Sequence, residues 1–130
     1  MAQAADIVLE ARQAADSRGR PTVEVTLKVG GIETVGDVPA GASKGEDEAR
    51  TVGVDQAIDN IHGTISSIIR ESGRAFESHD DLLAIEAAII AQAGENYVTL
   101  GANSVLPVSR ALWKAAAKLR GMELCHYIRE

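Results

Sequence analysis

The sequence predicts an α+β fold, with a three-stranded antiparallel meander followed by a helical bundle. In the first third of the chain, apolar and polar residues alternate, which is typical of half-buried strands. A Gly-Gly pair between two of these segments is a hairpin signal. In the remaining two thirds, apolar residues recur at three- and four-residue steps, as on the buried side of helices. This order favours one sheet face covered by helices, and 130 residues suit a single domain over residues 1–130.

The strands are predicted from period-two patterning. The clearest strand covers residues 22–29, where valine and leucine at odd positions alternate with polar residues. A strand over residues 7–12 precedes it, and residues 16–21 form a turn because they are rich in Asp, Ser, Gly and Pro. The pair Gly30-Gly31 leads into a partner strand over residues 32–38. The alternation in this last strand is weaker, because Thr and Gly occupy apolar positions.

The first two helices are predicted from apolar stripes. One covers residues 54–68 and is interrupted by Gly63, at a cost of about 1 kcal/mol relative to Ala. The next begins near Asp80-Asp81, whose charges suit the positive end of a helix dipole. Gly94 is expected to end it.

A third helix is predicted over residues 104–119. Asn103 is expected as its N-cap, and Pro107 lies in or near its first turn. Gly121 follows the last periodic residue and is expected to end the helix. Residues 124–128 are expected to form a last short turn.

Charge and composition argue against several classes of function. A net charge of −6 disfavours binding to phosphate backbones, and 3% aromatic residues are too few for a base-stacking surface, so we expect no nucleic-acid partner. No apolar run approaches the roughly 20 residues of a membrane span, and residues 1–7 lack the basic start of a signal peptide. We therefore expect no membrane partner. The single cysteine, Cys125, cannot form an internal disulfide, which fits a cytoplasmic protein.

Residues 38–45 form the stretch around which the rest of the chain is organised. Pro39 ends the preceding strand, and Gly41 and Gly45 permit backbone angles that are closed to other residues. The pattern predicts an exposed, adaptable loop in which the backbone and the Ser43 hydroxyl can approach a ligand. An ordinary polar loop is the alternative, since Gly and Ser are common wherever a chain turns.

Four short motifs resemble, in the same order, those of the N-terminal domain of the enolase family. They are DSRG at 16–19, PTVEV at 21–25, GAS at 41–43 followed by Gly45, and LGAN at 100–103. Each motif alone is weak, but their shared order, combined with a strand hairpin followed by helices, is specific. The resemblance spans residues 7–128.

The resemblance implies a capping domain packed against the open end of a β/α barrel, joined in cis or in trans. The whole enzyme in that family is a lyase of glycolysis that dehydrates 2-phosphoglycerate to phosphoenolpyruvate. Its barrel supplies carboxylates for a first magnesium ion and the lysine base. The N-terminal domain contributes a mobile lid whose serine joins a second magnesium ion. That serine matches Ser43.

The same resemblance assigns roles to six residues. Small residues ease lid closure, and the lid is matched by Gly41, Ala42, Ser43, Lys44 and Gly45. Arg18 matches an arginine that family members place at a dimer interface, which implies a homo-oligomer. The alternative for Arg18 is a turn residue paired with a nearby carboxylate, an interaction of ~0–1 kcal/mol.

The chain departs from the family pattern at several positions. Arg20 replaces an asparagine, Ala40 replaces a serine and Pro107 replaces a glycine, while the region 50–53 is shortened. Lys44 replaces a threonine and adds a positive charge beside the presumed metal-binding hydroxyl. It could contact the substrate phosphate, repel the second ion or remain solvated.

Without a barrel, we expect neither catalysis nor a bound magnesium ion from this chain alone. Ser43 cannot by itself supply the near-octahedral oxygen ligation that Mg²⁺ needs. The consecutive acids at 46–48 could in principle add carboxylates, although such runs are typical of a solvated loop or helix start.

Two functions from different classes follow. The first is the lid domain of an enolase-type lyase, which needs a barrel. The second is a stand-alone, divergent enolase-like domain that acts as a binding or assembly module. A small hydrolase has little support, because Ser17, Ser43 and Ser104 lack a recognisable base and acid partner in the sequence.

Overall fold

The computed structural model describes residues 3–15, 19, 21–37, 52–76, 78–94 and 99–121. Its strands form one antiparallel sheet in the order β1-β2-β3, which confirms the predicted meander. The strands are β1 (Val8–Ala15), β2 (Pro21–Val29) and β3 (Ile32–Asp37). β1 extends three residues beyond its predicted end, because its pairing with β2 continues to Ala15 opposite Pro21. A short 3₁₀ turn, Ala4–Asp6, precedes the sheet.

The helices follow the sheet, as predicted for an α+β fold. They are α1 (Val54–Asn60), a π-helical segment (Ile61–Ile65), α2 (Ser66–Glu71), α3 (His79–Ala93) and α4 (Ala102–Leu119). α4 packs on β3 and β2, while α1 and the π segment contact β1. In the part of the chain that the structure describes, no helix combines the length and the apolar character needed to cross a bilayer.

The two faces of the sheet differ in polarity. On the helix-facing side, Val23, Val25 and Leu27 of β2 are fully buried. On the opposite side, Arg12 pairs with Glu24 directly across β1 and β2. The odd-numbered apolar residues of β2 therefore build the core, as the alternation predicted.

The interruption at Gly63 lies inside a continuous helical path. Gly63 is the middle residue of the π segment, where one wider turn joins α1 to α2. Ile61 and Ile65 of this segment are fully buried. The exposed His62 reaches the outer edge of β1, where its Nε2 accepts the Ala11 N–H at 3.0 Å. The predicted helix therefore exists, although it ends at Glu71 rather than at residue 68.

α3 begins with a capping box. The Ser78 hydroxyl accepts the Asp81 N–H at 3.1 Å, and the Asp81 carboxylate accepts the Ser78 N–H at 3.1 Å. These two bonds satisfy donors that a helix leaves without partners at its start. Gly94, with φ of 83°, ends the helix as predicted.

Replacing Ser78 by Ala should lower the free energy of unfolding by about 1 kcal/mol, because the Asp81 N–H loses its cap. Ser78→Thr keeps an acceptor oxygen and should cost clearly less. Urea unfolding of the two variants measures the difference. Equal losses for Ser78→Ala and Ser78→Thr would contradict a capping role.

α4 begins earlier than predicted. It starts at Ala102 with Gly101 as its N-cap, so the prediction of Asn103 as N-cap is wrong. Pro107 consequently lies in the second turn, as the sixth helical residue, rather than in the first turn. Gly121, with φ of 67°, follows the helix end as predicted. The short turn predicted over residues 124–128 lies outside the described residues.

The weak pattern of β3 results from its contact with α4. The Thr34 hydroxyl is buried and donates to the Ala111 carbonyl at 2.9 Å. A Cβ atom built on Gly36 would lie 1.9 Å from the Pro107 carbonyl oxygen. Small or hydrogen-bonding residues therefore stand where a large apolar side chain would not fit.

Candidate functional site

The residues predicted to form the lid and the interface are not among those that the structure describes. They are Arg18, Gly41, Ala42, Ser43, Lys44 and Gly45. Their roles stay predictions, as does the effect of the shortened region 50–53. The structure does describe the residues on either side of segment 38–51, which are Asp37 and Val52.

Val52, at the C-terminal end of this segment, is bound by Asn103 of α4. The Asn103 Oδ1 accepts the Val52 N–H at 3.1 Å, and the Asn103 Nδ2 donates to the Val52 carbonyl at 2.7 Å. One carboxamide thus satisfies both backbone groups of one residue. This contact replaces the capping role that local sequence reasoning gave to Asn103.

Gly101 makes room for this contact. Its φ of 87° lies in the region that favours glycine, and an added Cβ would approach the Asn103 Oδ1 and the Val52 Cγ2 at 2.8 Å. Both Gly101 and Asn103 of the LGAN motif therefore serve the approach of Val52. Residue preference alone favours Asn103 over Gly101 as an N-cap, so the sequence held no local signal for the earlier start.

Asp37, at the other end of the segment, is also bound by α4. The Arg110 Nη1 donates to the Asp37 carbonyl at 2.8 Å. Two further basic residues of α4 continue the pattern: the Lys114 Nζ donates to the Val35 carbonyl at 2.7 Å, and the Lys118 Nζ donates to the Glu33 carbonyl at 3.0 Å. Three cations at four-residue steps therefore bind alternate carbonyls along β3.

A polar cluster joins α3 to α4. The Glu86 carboxylate accepts the Ser109 hydroxyl and, at 2.8 Å, the Trp113 indole N–H. The Trp113 ring meets the His79 ring edge to face, with centroids 5.1 Å apart. These contacts hold two helices together.

Ser104, one of the serines considered for a hydrolase, is fully buried. Its hydroxyl lies 2.7 Å from the Leu100 carbonyl and 2.9 Å from the Gly101 carbonyl. The hydroxyl therefore stabilises the start of α4, and these contacts give it no nucleophilic role.

An open cleft of about 410 Å³ lies at the β2–β3 hairpin, with Asp6, Lys28 and Glu33 among its lining residues. The Lys28 Nζ lies 3.7 Å from carboxylate oxygens of both Glu10 and Glu33. Its charge is balanced within the sheet, so the cleft offers no unbalanced cation to an anionic ligand.

Within the described ranges, no three His, Cys, Asp or Glu side chains lie close enough together to hold a metal ion. The described residues thus contain no cluster of three such side chains for the magnesium ion that the resemblance implies. The only donor that the resemblance assigns to this chain, Ser43, lies outside them.

Comparison with known proteins agrees with the architecture. The family model described as "Enolase, N-terminal domain" matches residues 7–128. The enolase of Sulfurisphaera tokodaii is 35% identical over 122 residues, which cover 89% of this chain and 28% of that protein. The enolase of Methanococcoides burtonii is 36% identical over 132 aligned positions, which cover 92% of this chain and 30% of that protein.

The chain thus spans less than a third of the length of these two relatives. The family match covers the three strands, helices α1 to α4 and the segment between β3 and α1. On this evidence the chain belongs to the enolase N-terminal domain family.

Proposed function

We propose that this chain is the capping domain of an enolase-type lyase, a cytoplasmic enzyme of glycolysis that dehydrates 2-phosphoglycerate to phosphoenolpyruvate. The observation that carries this proposal is the family match over residues 7–128, together with relatives named enolase that are about three times longer. The catalytic lysine and the carboxylates for the first magnesium ion belong to the barrel. The chain alone is not catalytic.

In this proposal, Ser43 contributes a hydroxyl oxygen to the second magnesium ion. Mg²⁺ prefers oxygen ligands and keeps near-octahedral geometry, so one hydroxyl completes a set supplied mainly by other groups. When bound, the ions stabilise the negative charge that develops on the substrate. Gly41, Ala42, Lys44 and Gly45 form the lid that brings Ser43 to them.

The partner in this proposal is a β/α barrel. Along α3, Leu83 and Ile90 are 45% and 43% exposed, with the exposed Ala87 between them on the same side. Exposed apolar rows of this kind fit a partner surface. We propose the barrel as the partner of this row. The two relatives have more than two thirds of their length outside the matched part, which leaves room for such a domain.

The second candidate function is a stand-alone binding or assembly module, for which the same apolar row on α3 would bind another copy of the chain. The mass of the isolated chain in solution, measured by light scattering, separates the two. A dimer that is lost in Leu83→Lys favours assembly through α3, whereas a monomer that forms a stable complex with a barrel fragment favours the capping role.

The test of the capping function joins this chain to the barrel of the Sulfurisphaera tokodaii enolase, in cis or by mixing. We expect formation of phosphoenolpyruvate. Ser43→Ala should lower kcat at saturating magnesium by roughly tenfold or more, equivalent to about 1.4 kcal/mol of barrier per factor of ten. Ser67→Ala, at an exposed position on α2, is the matched control and should leave kcat unchanged.

Two outcomes would count against this reading. Equal turnover in Ser43→Ala and in the unmodified chain would remove the metal role of Ser43. A chain that neither binds the barrel nor restores turnover would remove the capping role itself.

A further inference from the structure

We infer that Glu86 of α3 is the polar anchor of the surface to which the barrel binds, and that it receives an arginine or lysine side chain of the barrel. The choice of the barrel rests on the proposed function, which names it as the partner of the apolar row formed by Leu83, Ala87 and Ile90. The position of Glu86 beside this row, its fixed carboxylate and its unbalanced charge point to the anchor role.

Glu86 borders the apolar row of α3. It follows Leu83 by three residues and precedes Ile90 by four, so it lies next to both on the helix surface. Glu86 is partly buried, whereas Leu83 and Ile90 are 45% and 43% exposed. From Leu82 to Ala93, α3 carries no other charged residue. A partner that covers the row therefore also covers the one charge on this part of the helix.

The Glu86 carboxylate is held in one orientation by α4. Its Oε2 accepts hydrogen bonds from the Ser109 hydroxyl and, at 2.8 Å, from the Trp113 indole N–H. Both donors are neutral, and the amide carbonyl of a glutamine at this position could accept the same two bonds. The contacts between α3 and α4 thus explain why residue 86 has an acceptor oxygen, but they do not require its negative charge.

The negative charge of Glu86 has no positive partner in the part of the chain that the structure describes. The ion pairs of that part involve other carboxylates. The two hydrogen bonds that Glu86 accepts both end at Oε2, so Oε1 can still accept a donor. Burial of a carboxylate without a positive partner is costly. A domain that covers Glu86 must therefore supply a cation.

A basic side chain meets both requirements of this surface. Its charged end can donate to Oε1 of Glu86, while its aliphatic stem lies along the apolar row. The net charge of −6 on the chain also favours the approach of a basic surface. A surface that offers apolar residues without a cation would leave the carboxylate unpaired and bind more weakly. Glu86 would thus select among apolar partners.

Carboxyl footprinting tests whether the barrel covers Glu86. The chain is labelled with a carbodiimide and an amine, both alone and joined in cis to the barrel of the Sulfurisphaera tokodaii enolase, and mass spectrometry quantifies the labelled peptides. Joining should lower the labelling of Glu86 about fivefold or more, because the centre of an interface excludes water. Asp59, exposed on α1, should be labelled equally in both forms. Equal labelling of Glu86 in the two forms overturns the anchor role.

The charge is tested by titrating the separate chain into the same barrel in a calorimeter. Glu86→Gln keeps an acceptor for Ser109 and Trp113 but removes the charge, and it should raise the Kd about tenfold or more. Asp59→Asn removes one negative charge away from the row and should leave the Kd unchanged. Both variants should unfold in urea near the midpoint of the unmodified chain. A Glu86→Gln variant that fails to fold overturns the anchor role, because the charge would then serve the fold.

The outcomes separate the anchor role from the capping function. A complex whose Kd is the same for Glu86→Gln and the unmodified chain overturns the anchor role and leaves the capping function standing. A chain that forms no complex and restores no turnover removes both. A dimer of the chain that Glu86→Gln dissociates overturns the barrel as the partner of Glu86. Protection of Glu86 on joining, together with a Kd that rises in Glu86→Gln but not in Asp59→Asn, supports the anchor role.

Discussion

Gly36→Ala is expected to destabilise the domain by about 3 kcal/mol, near the upper end for overpacking substitutions. The added Cβ would lie 1.9 Å from the Pro107 carbonyl oxygen and 2.8 Å from the Ala111 nitrogen. Both atoms belong to the backbone, so no side chain can rotate away. β3 and α4 would have to separate, which would also strain the neighbouring contact between Arg110 and the Asp37 carbonyl.

Urea unfolding followed by circular dichroism measures this loss. Gly63→Ala is the matched control, because nothing lies within 4 Å of a Cβ placed there and Gly63 is part of a helical path. Its unfolding free energy should stay the same or rise by up to about 1 kcal/mol, since alanine favours helix more than glycine does. If the two variants shift the unfolding midpoint equally, the close approach of β3 to α4 is disproved.

Phe76→Ala is expected to cost about 4 kcal/mol, within the range for truncating a buried aromatic side chain. Phe76 is only 2% exposed and is the sole phenylalanine of the sequence. It lies between α2 and α3, next to Ala75, which pairs with Gln3. Truncation would leave a cavity where the two helices and the N-terminal end of the described chain meet.

Two further variants calibrate the Phe76 measurement. Phe76→Leu keeps much of the volume and should lose about 1–2 kcal/mol. Leu83→Ala, at a residue that is 45% exposed, should lose less than about 1 kcal/mol, because nearly half of its surface stays in water in the folded domain. A loss for Phe76→Ala no greater than that for Leu83→Ala would show that Phe76 is not a core residue.

Strands and helix ends whose positions depend on neighbouring residues could be predicted from the sequence. Strand β2 followed from its alternation, since every second residue must face the helices. The ends of α3 and α4 followed from Gly94 and Gly121, which adopt positive φ angles after the last turn. The break at Gly63 was also visible, although the sequence did not indicate that a π segment would bridge it.

Residues with distant partners were less predictable. Asn103 resembles an N-cap when only its neighbours are considered, but its side chain binds Val52, 51 residues away in the sequence. In the sequence, Thr34 and Gly36 only weaken the strand pattern. Their contacts with α4 explain why a hydroxyl and a residue without a side chain stand at these two positions. The residues predicted to form the lid lie outside the described residues, and the contacts of Asp37 and Val52 with α4 became visible only in three dimensions.

The row of cations along β3 has a consequence for self-association. Three basic side chains of α4 donate hydrogen bonds to backbone carbonyls on the outer edge of β3; they belong to Arg110, Lys114 and Lys118. Unpaired carbonyls on an edge strand are the groups to which a strand of another molecule can bind. At the opposite edge of the sheet, the His62 imidazole accepts a hydrogen bond from the backbone N–H of Ala11. An incoming strand would have to displace these groups and leave three positive charges without their acceptors. The β3 border of the sheet is thereby protected against pairing with a strand of another molecule.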